Sequence, residues 1–219
     1  MTNLKTLFRK EWLMTLKPAV YMYFYWLLAL TLLAPNYPYC VAFGYCLMGI
    51  PNLFTIFKAN KDLEFNAMLP ISREEIVKSK FMSVIFIQVV QILIAIPFAL
   101  LSCFLINPAG NGVGLDANFT LFASVFIEFS VFNIIFLPGF FSTGYKVATP
   151  TFWAFVGYLL TLGLIEGLIA GIPTLNLIFD GYTYIGAQLG LLAIGIILYC
   201  LTLFFAYRMS VKKFLRVNL

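Results

Sequence analysis

The sequence predicts an all-α integral membrane protein with six membrane-spanning helices, and two observations lead to this prediction. Of the 219 residues, 62% are hydrophobic and only 11% are charged, whereas a soluble domain carries about 25% charged residues. The apolar residues form long runs instead of alternating with polar ones, and such runs predict helices that cross a bilayer. We therefore expect residues 1–219 to form one transmembrane domain.

Six apolar segments account for the predicted spans. They are Ala19–Ala34, Tyr39–Phe57, Phe81–Ile106, Phe119–Phe141, Thr151–Ile172 and Ile185–Tyr207. The longest stretch between them, Lys58–Lys80, is shorter than the 50 or so residues of a small globular domain. Chemistry that needs a soluble domain must therefore come from another chain.

The basic residues predict the orientation of the spans. All Lys and Arg residues lie before the first span, between the second and third, between the fourth and fifth, or after the sixth. These four regions share one side of a six-span protein, which the positive-inside rule assigns to the cytoplasm. Both termini are thus predicted to be cytosolic. The net charge of +5 suits contact with anionic membrane lipids, whereas nucleic-acid binding would need a basic soluble surface.

The absence of histidine argues against a metal centre or a Ser-His catalytic site, since both commonly use this residue. The four cysteines lie inside apolar segments without Cys-x-x-Cys spacing, which is typical of small buried apolar residues. We accordingly assign no catalytic residue and no metal ligand.

The first element is an amphipathic helix over Met1–Lys17. Leu4, Phe8, Trp12 and Leu16 stand four apart, with basic residues beside them, which predicts a helix lying in the membrane interface. It serves either as a membrane anchor or also as a contact for a cytosolic partner.

The loop between the second and third spans contains two helical segments. Ser72-Arg73-Glu74-Glu75 matches a capping box, so a helix is predicted to begin at Arg73 and to continue into the third span. Before it, residues 60–69 can form two to three turns that end before Pro70. Phe65, Met68 and Leu69 make an apolar stripe there. Periodicity leaves open whether this stripe contacts lipid or inserts into another protein.

The same loop carries a family resemblance. Lys61-Asp62-Leu63-Glu64 and the run from Met68 through Leu69-Pro70-Ile71-Ser72-Arg73 to Ile76-Val77-Lys78-Ser79-Lys80-Phe81 resemble the signature of small six-span ABC type-2 permease subunits. Among these, the chain resembles the permeases of bacterial exporters of amphipathic peptides such as phenol-soluble modulins. The resemblance implies that the loop is a coupling helix inserted into a separate ATPase subunit. The residues that it assigns to this contact are Lys61, Asp62, Phe65, Met68, Leu69, Ser72, Arg73, Glu74 and Glu75.

The resemblance also implies an assembly in the bacterial cytoplasmic membrane. Two ATPase subunits would bind ATP and Mg, and a second permease copy or a paralogue would complete the path for amphipathic peptides, lipid-like molecules or drugs. This chain lacks the Gly-x-x-x-x-Gly-Lys-Ser/Thr phosphate cradle, so no cofactor is assigned to it. Two alternatives remain open: a substrate-binding membrane subunit of a vitamin importer, and a membrane scaffold that does not transport.

Two carboxylates lie inside predicted spans, Glu128 near mid-depth of the fourth and Glu166 in the outer half of the fifth. An acidic group at the bilayer centre costs about 2.5–3.5 kcal/mol on insertion scales, so each should face the bundle or a wet cavity. Both are interpreted either as residues of the substrate path, with Glu128 favouring cationic or amphipathic cargo, or as neutral structural groups.

Glycines mark one face of the last two spans. Gly163, Gly167 and Gly171 stand four apart in the fifth span, and Gly186 and Gly190 begin the sixth. Small residues at this spacing let another backbone approach closely. We expect spans five and six to pack together there, with a subunit interface as the alternative. Pro173 and Asp180-Gly181-Tyr182 predict a bent outer hairpin between the two spans.

Overall fold

The structure, a computed structural model, describes residues 6–7, 9–10, 19–68, 71–108 and 110–217, without the side chains of residues 19–22 and 67. These ranges contain helices and connecting loops and no strand. The helices are α1 (Ala19–Leu32), α2 (Tyr39–Leu47), α3 (Gly49–Ala59), α4 (Asp62–Ala67), α5 (Arg73–Leu101), α6 (Phe119–Phe141), α7 (Ala148–Gly171), α8 (Pro173–Phe179) and α9 (Ile185–Phe214). A π-helical turn, Ser102–Ile106, extends α5.

Five candidate membrane-spanning helices occur in the described ranges. They are the α2–α3 pair (Tyr39–Ala59), α5 with its π-helical turn (Arg73–Ile106), α6, α7 and α9. The first predicted span corresponds to α1, whose 14 residues extend about 21 Å. This is less than the roughly 30 Å of a hydrocarbon core. The all-helical membrane class is therefore confirmed, and the sixth crossing stays a prediction.

Most of the predicted amphipathic helix over Met1–Lys17 lies outside the described residues. Its positions 6–7 and 9–10 are helical. Leu69 and Pro70, at the end of the predicted apolar stripe, also lie outside the described ranges.

The helix from Arg73 is continuous, as the capping box predicts. The side chain of Ser72 accepts a hydrogen bond from the backbone amide of Glu75, and the side chain of Glu75 accepts one from the amide of Ser72. With the π-helical turn, this element has 34 residues and a length of about 50 Å. One rod therefore joins the loop before the third span to the opposite end of the bundle.

The α2–α3 pair and α6 form the centre of the bundle. About two thirds of their most apolar windows are buried, against roughly a fifth for α5, α7 and α9. Phe54 of α3 packs edge-to-face on Phe136 and Phe140 of α6, with ring centroids 5.0 and 4.6 Å apart. The three outer helices thus present apolar faces to lipid or to another subunit.

The prediction that glycines join spans five and six is wrong for this chain. A Cβ added at Gly163, Gly167, Gly171, Gly186 or Gly190 would meet no described atom beyond its own helix backbone within 4 Å. The close backbone contact of the sixth span is instead with the fourth, since a Cβ at Gly195 of α9 would lie 2.9 Å from the carbonyl oxygen of Ala123. Glycine spacing leaves a helix face bare, but it does not determine which helix approaches that face.

Candidate functional site

A buried ionic cluster forms at the end of the bundle that carries the loop between spans two and three. Asp62, the first residue of α4, is 8% exposed and lies between the ammonium groups of Lys10 and Lys80. Asn66, one turn later on α4, donates to Asp62 Oδ2 at 3.1 Å and accepts from Lys10 Nζ at 2.8 Å. The cluster connects the N-terminal segment, α4 and α5.

The two lysines keep the central carboxylate ionised. Burial alone would raise the pKa of Asp62, but the nearby charge of Lys80 and the hydrogen bonds from Lys10 and Lys80 lower it below its ordinary value. Lys80 is completely buried, and its ammonium lies 3.1 Å from the ring centroid of Phe57. A desolvated ammonium over an aromatic face gains cation–π stabilisation. The cluster therefore holds α4 against α3 and α5 in one position.

The opposite face of α4 is apolar and exposed. Phe65 is 54% exposed and Met68 is 84% exposed. Together with Lys10, Lys61 and Glu64 they line a cleft of about 450 Å³. Two residues predicted to contact a partner are thus accessible on the helix that Asp62 anchors, and the flanking Lys61 is exposed beside them.

Arg73 has a role that the sequence did not reveal. Its guanidinium donates to the carbonyl oxygens of Phe214, Leu215 and Val217 at 3.1, 3.2 and 2.8 Å, so it caps the carboxyl end of α9. The last carbonyls of a helix lack intrahelical donors, and a cation there also suits the helix dipole. Arg73 thereby connects the start of α5 to the end of the last span, while Glu74 beside it is exposed.

A second candidate site lies within the membrane-spanning region. Glu128 of α6 is completely buried, and neither of its carboxylate oxygens has a hydrogen-bond partner among the described residues. Cys40 of α2 lies nearby: its thiol is 3.5 Å from the Ser124 hydroxyl, and its carbonyl accepts a bond from the Tyr158 hydroxyl at 3.1 Å. Glu128 therefore faces the bundle, as its position in the sequence predicted, and not lipid.

Glu166 of α7 lines a polar cavity of about 240 Å³ that the loops at the other end of the bundle help to form. Asn111, Gly114, Asn176 and Asp180 contribute to the same cavity. Gly114 has φ +79°, and a Cβ there would lie 2.7 Å from Glu166 Oε2. Only glycine lets this loop close over the carboxylate without strain.

The loops around this cavity are held by side-chain bonds to the backbone. Asn118 caps α6 by accepting from the amides of Thr120 and Leu121, and it donates to the carbonyls of Phe179 and Gly181. The predicted hairpin between the last two spans is indeed bent, because the short helix α8 fills it and Gly181 turns the chain with φ +71°.

The sequence reading missed a polar network in the apolar bundle. The side-chain amides of Gln88 on α5 and Asn133 on α6 exchange two hydrogen bonds of 3.0 Å, and the Tyr199 hydroxyl of α9 donates to Gln88 Oε1 at 2.7 Å. Gln91, one turn after Gln88, is buried without a partner among the described residues. The sequence did contain a signal for this network, because Gln88, Gln91 and Asn133 lie inside apolar runs and polar side chains form hydrogen bonds between helices in membranes.

Within the described ranges, no group of three or more Cys, Asp or Glu side chains is arranged to hold a metal ion. A family model described as ABC-2 family transporter protein matches residues 6–214. No curated protein and no solved structure shows a significant match to the chain.

Proposed function

The chain belongs to the ABC-2 family of transporter proteins, and on this premise we propose that it is the permease subunit of an ABC exporter. Permeases of this family are generally non-catalytic membrane subunits that work with an ABC ATPase partner. In this proposal two copies of that partner bind ATP and Mg and supply the energy. The permease supplies the path, with both termini in the cytosol of a bacterial cell.

We assign the coupling function to α4. This assignment rests on the contrast between the two faces of α4. Asp62 anchors one face in a buried ionic cluster, whereas the other face carries the exposed side chains of Phe65 and Met68. An exposed apolar stripe on a helix suits insertion into a groove of another protein. The anchored face resists displacement, so force applied to the stripe reaches the bundle.

The proposed transmission follows the ionic contacts. Displacement of α4 by the ATPase moves Asp62, which pulls Lys80 on α5 and Lys10 on the N-terminal segment. The α5 rod then carries the motion through the membrane, and Arg73 conveys it to the end of α9. Pro97 within α5 gives the rod a position at which to bend.

The coupling assignment is tested by making the stripe charged. Replacing Phe65 and Met68 together with Glu should prevent co-purification with the ATPase and abolish stimulation of ATP hydrolysis, since neither carboxylate can enter an apolar groove. Val113→Glu is the matched control, because Val113 is 48% exposed in a loop at the opposite end of the bundle. A double variant that stays assembled and stimulates hydrolysis normally would contradict the assignment.

We propose that cargo passes near the two membrane carboxylates. Glu166 lines a polar cavity whose lining, among the described residues, has no cationic side chain, and Glu128 is buried deeper in the bundle. Carboxylates in such positions favour cationic or amphipathic cargo. Peptides, lipid-like molecules and drugs of this kind are the proposed substrates.

A second permease, identical or paralogous, completes the proposed assembly. The glycine face of α7 supports this role, because a Cβ added at Gly163, Gly167 or Gly171 would meet no atom of another described segment within 4 Å. A bare face of small residues admits close approach of another helix.

A further inference from the structure

An apolar groove lies between α5, α6 and α9, at the end of the bundle opposite the lysine-bearing loops. Its volume is about 450 Å³. Its walls include Ile96 of α5, Phe104 of the π-helical turn that follows α5, Phe122 and Phe126 of α6, and Gln188 and Ile196 of α9. Ile96 is 42% exposed and Phe104 is 72% exposed, so the groove opens toward the surrounding membrane.

The length and the lining of the groove favour one kind of occupant. It follows α9 from Ile185 to Ile196, about 16 Å, which is close to half of a 30 Å hydrocarbon core. Most of its lining side chains are aliphatic or aromatic. An apolar groove that opens toward the membrane and extends over one leaflet suits a hydrocarbon chain.

A buried amide, that of Gln188, lines this apolar groove near its loop end. Gln188 is 1% exposed, and its Nε2 donates to the carbonyl oxygen of Gly181 at 2.9 Å. Its Oε1 accepts no hydrogen bond from any described residue. A buried carbonyl without a donor is costly, so a ligand that donates a hydrogen bond here would be stabilised.

The wall at the same end has unusual backbone geometry. Cys103 and Phe104 lie in the π-helical turn that ends α5, and both line the groove. Such turns are rare and occur frequently at functional sites. Tyr182 and Asn118 complete the rim, so the polar side chains gather where the head of an amphiphile would lie.

We propose that this groove is a binding site for a hydrocarbon chain of an amphiphile whose head donates a hydrogen bond, through a hydroxyl or ammonium group, to Gln188 Oε1. The chain lies along α5 and α9 within one leaflet, and the head lies beside Tyr182. The site goes beyond the export function, since binding requires neither ATP nor a partner subunit.

The test uses the full-length chain in phosphatidylcholine nanodiscs and two photoreactive probes. One is hexadecanol with a diazirine in its chain, and the other is the methyl ether of the same molecule, which cannot donate. Peptide mapping should place the hexadecanol label on residues 92–104 and 185–196. Labelling by the ether should be about fivefold weaker, the factor expected for one hydrogen bond. Equal labelling by the two probes overturns the proposal.

Variants on α5 test the location. Ile96→Trp fills the groove and should remove most of the label, whereas Leu93→Trp, at a position 60% exposed and outside the groove, should not. Label that persists in Ile96→Trp, or that spreads evenly over the exposed face of α7, overturns the proposal. Unlabelled hexadecanol must also displace the probe from the unaltered chain, which makes the test independent of variant folding.

Discussion

Replacing Asp62 with Asn should destabilise the junction between α4 and the bundle. The change removes the carboxylate that lies between two ammonium groups, one of them on a fully buried lysine, Lys80. Breaking a buried ion pair from one side costs about 3–5 kcal/mol. We expect about 3 kcal/mol, the lower end of this range, because the side chain of Lys10 is 23% exposed and Asn keeps one acceptor oxygen.

Two assays measure this effect: thermal unfolding of the purified chain in detergent, and hydrogen exchange of α4 and the start of α5 in the folded chain. Glu64→Gln is the control, since it removes the same charge from an exposed position on the same helix. Combining Asp62→Asn with Lys80→Gln should recover much of the lost stability, because the buried cation is removed too. If Asp62→Asn unfolds like the control, the buried cluster does not anchor α4.

The pH dependence of this cluster follows from the lowered pKa of Asp62. A carboxyl whose pKa is lower in the folded state than in the unfolded state stabilises the fold at every pH above its unfolded pKa, 3.8. This stabilisation is lost as the pH falls through the pKa of the folded state. The difference in stability between the native chain and Asp62→Asn should therefore be the same at pH 7 and pH 5. A difference that declines between those two pH values would contradict the lowered pKa.

Substitutions at three further residues, Arg73, Gly114 and Glu128, test the remaining assignments. Arg73→Met removes the cap of α9 and should lower stability by about 2 kcal/mol, which is measured as faster hydrogen exchange in the last turn of α9. Arg73→Lys should lose less stability. Equal exchange rates in the unaltered chain and the two variants would refute the cap. Gly114→Ala should cost about 1–2 kcal/mol in a thermal melt and displace Glu166, and an unchanged melting temperature would contradict the close contact between Gly114 and Glu166. Glu128→Gln should lower cargo-stimulated ATP hydrolysis in the reconstituted complex without reducing assembly, and unchanged stimulation would remove Glu128 from the substrate path.

The extent to which the sequence predicted the sites depends on the range of each interaction. The capping box at Ser72 involves residues three positions apart, so the sequence pattern was sufficient to predict it. The exposed stripe of Phe65 and Met68 followed from helical periodicity in the same way. Arg73 was assigned to a partner, yet its guanidinium bonds carbonyls more than 140 positions away, and no local pattern reports such a contact.

The sequence by itself determined that this protein crosses a membrane and where its long helices lie along the chain. It also determined that the helix of the third span begins in a connecting loop. Transfer of apolar runs from water into lipid depends on composition along the chain, so these properties need no knowledge of neighbours. Only the tertiary structure decided which faces meet. Asp62 meets two lysines, α9 meets α6, and the glycine face of α7 meets no other segment among the described residues. Lipid tails are as apolar as the interior of the bundle, so hydropathy does not distinguish a helix face that packs against protein from one that faces the membrane.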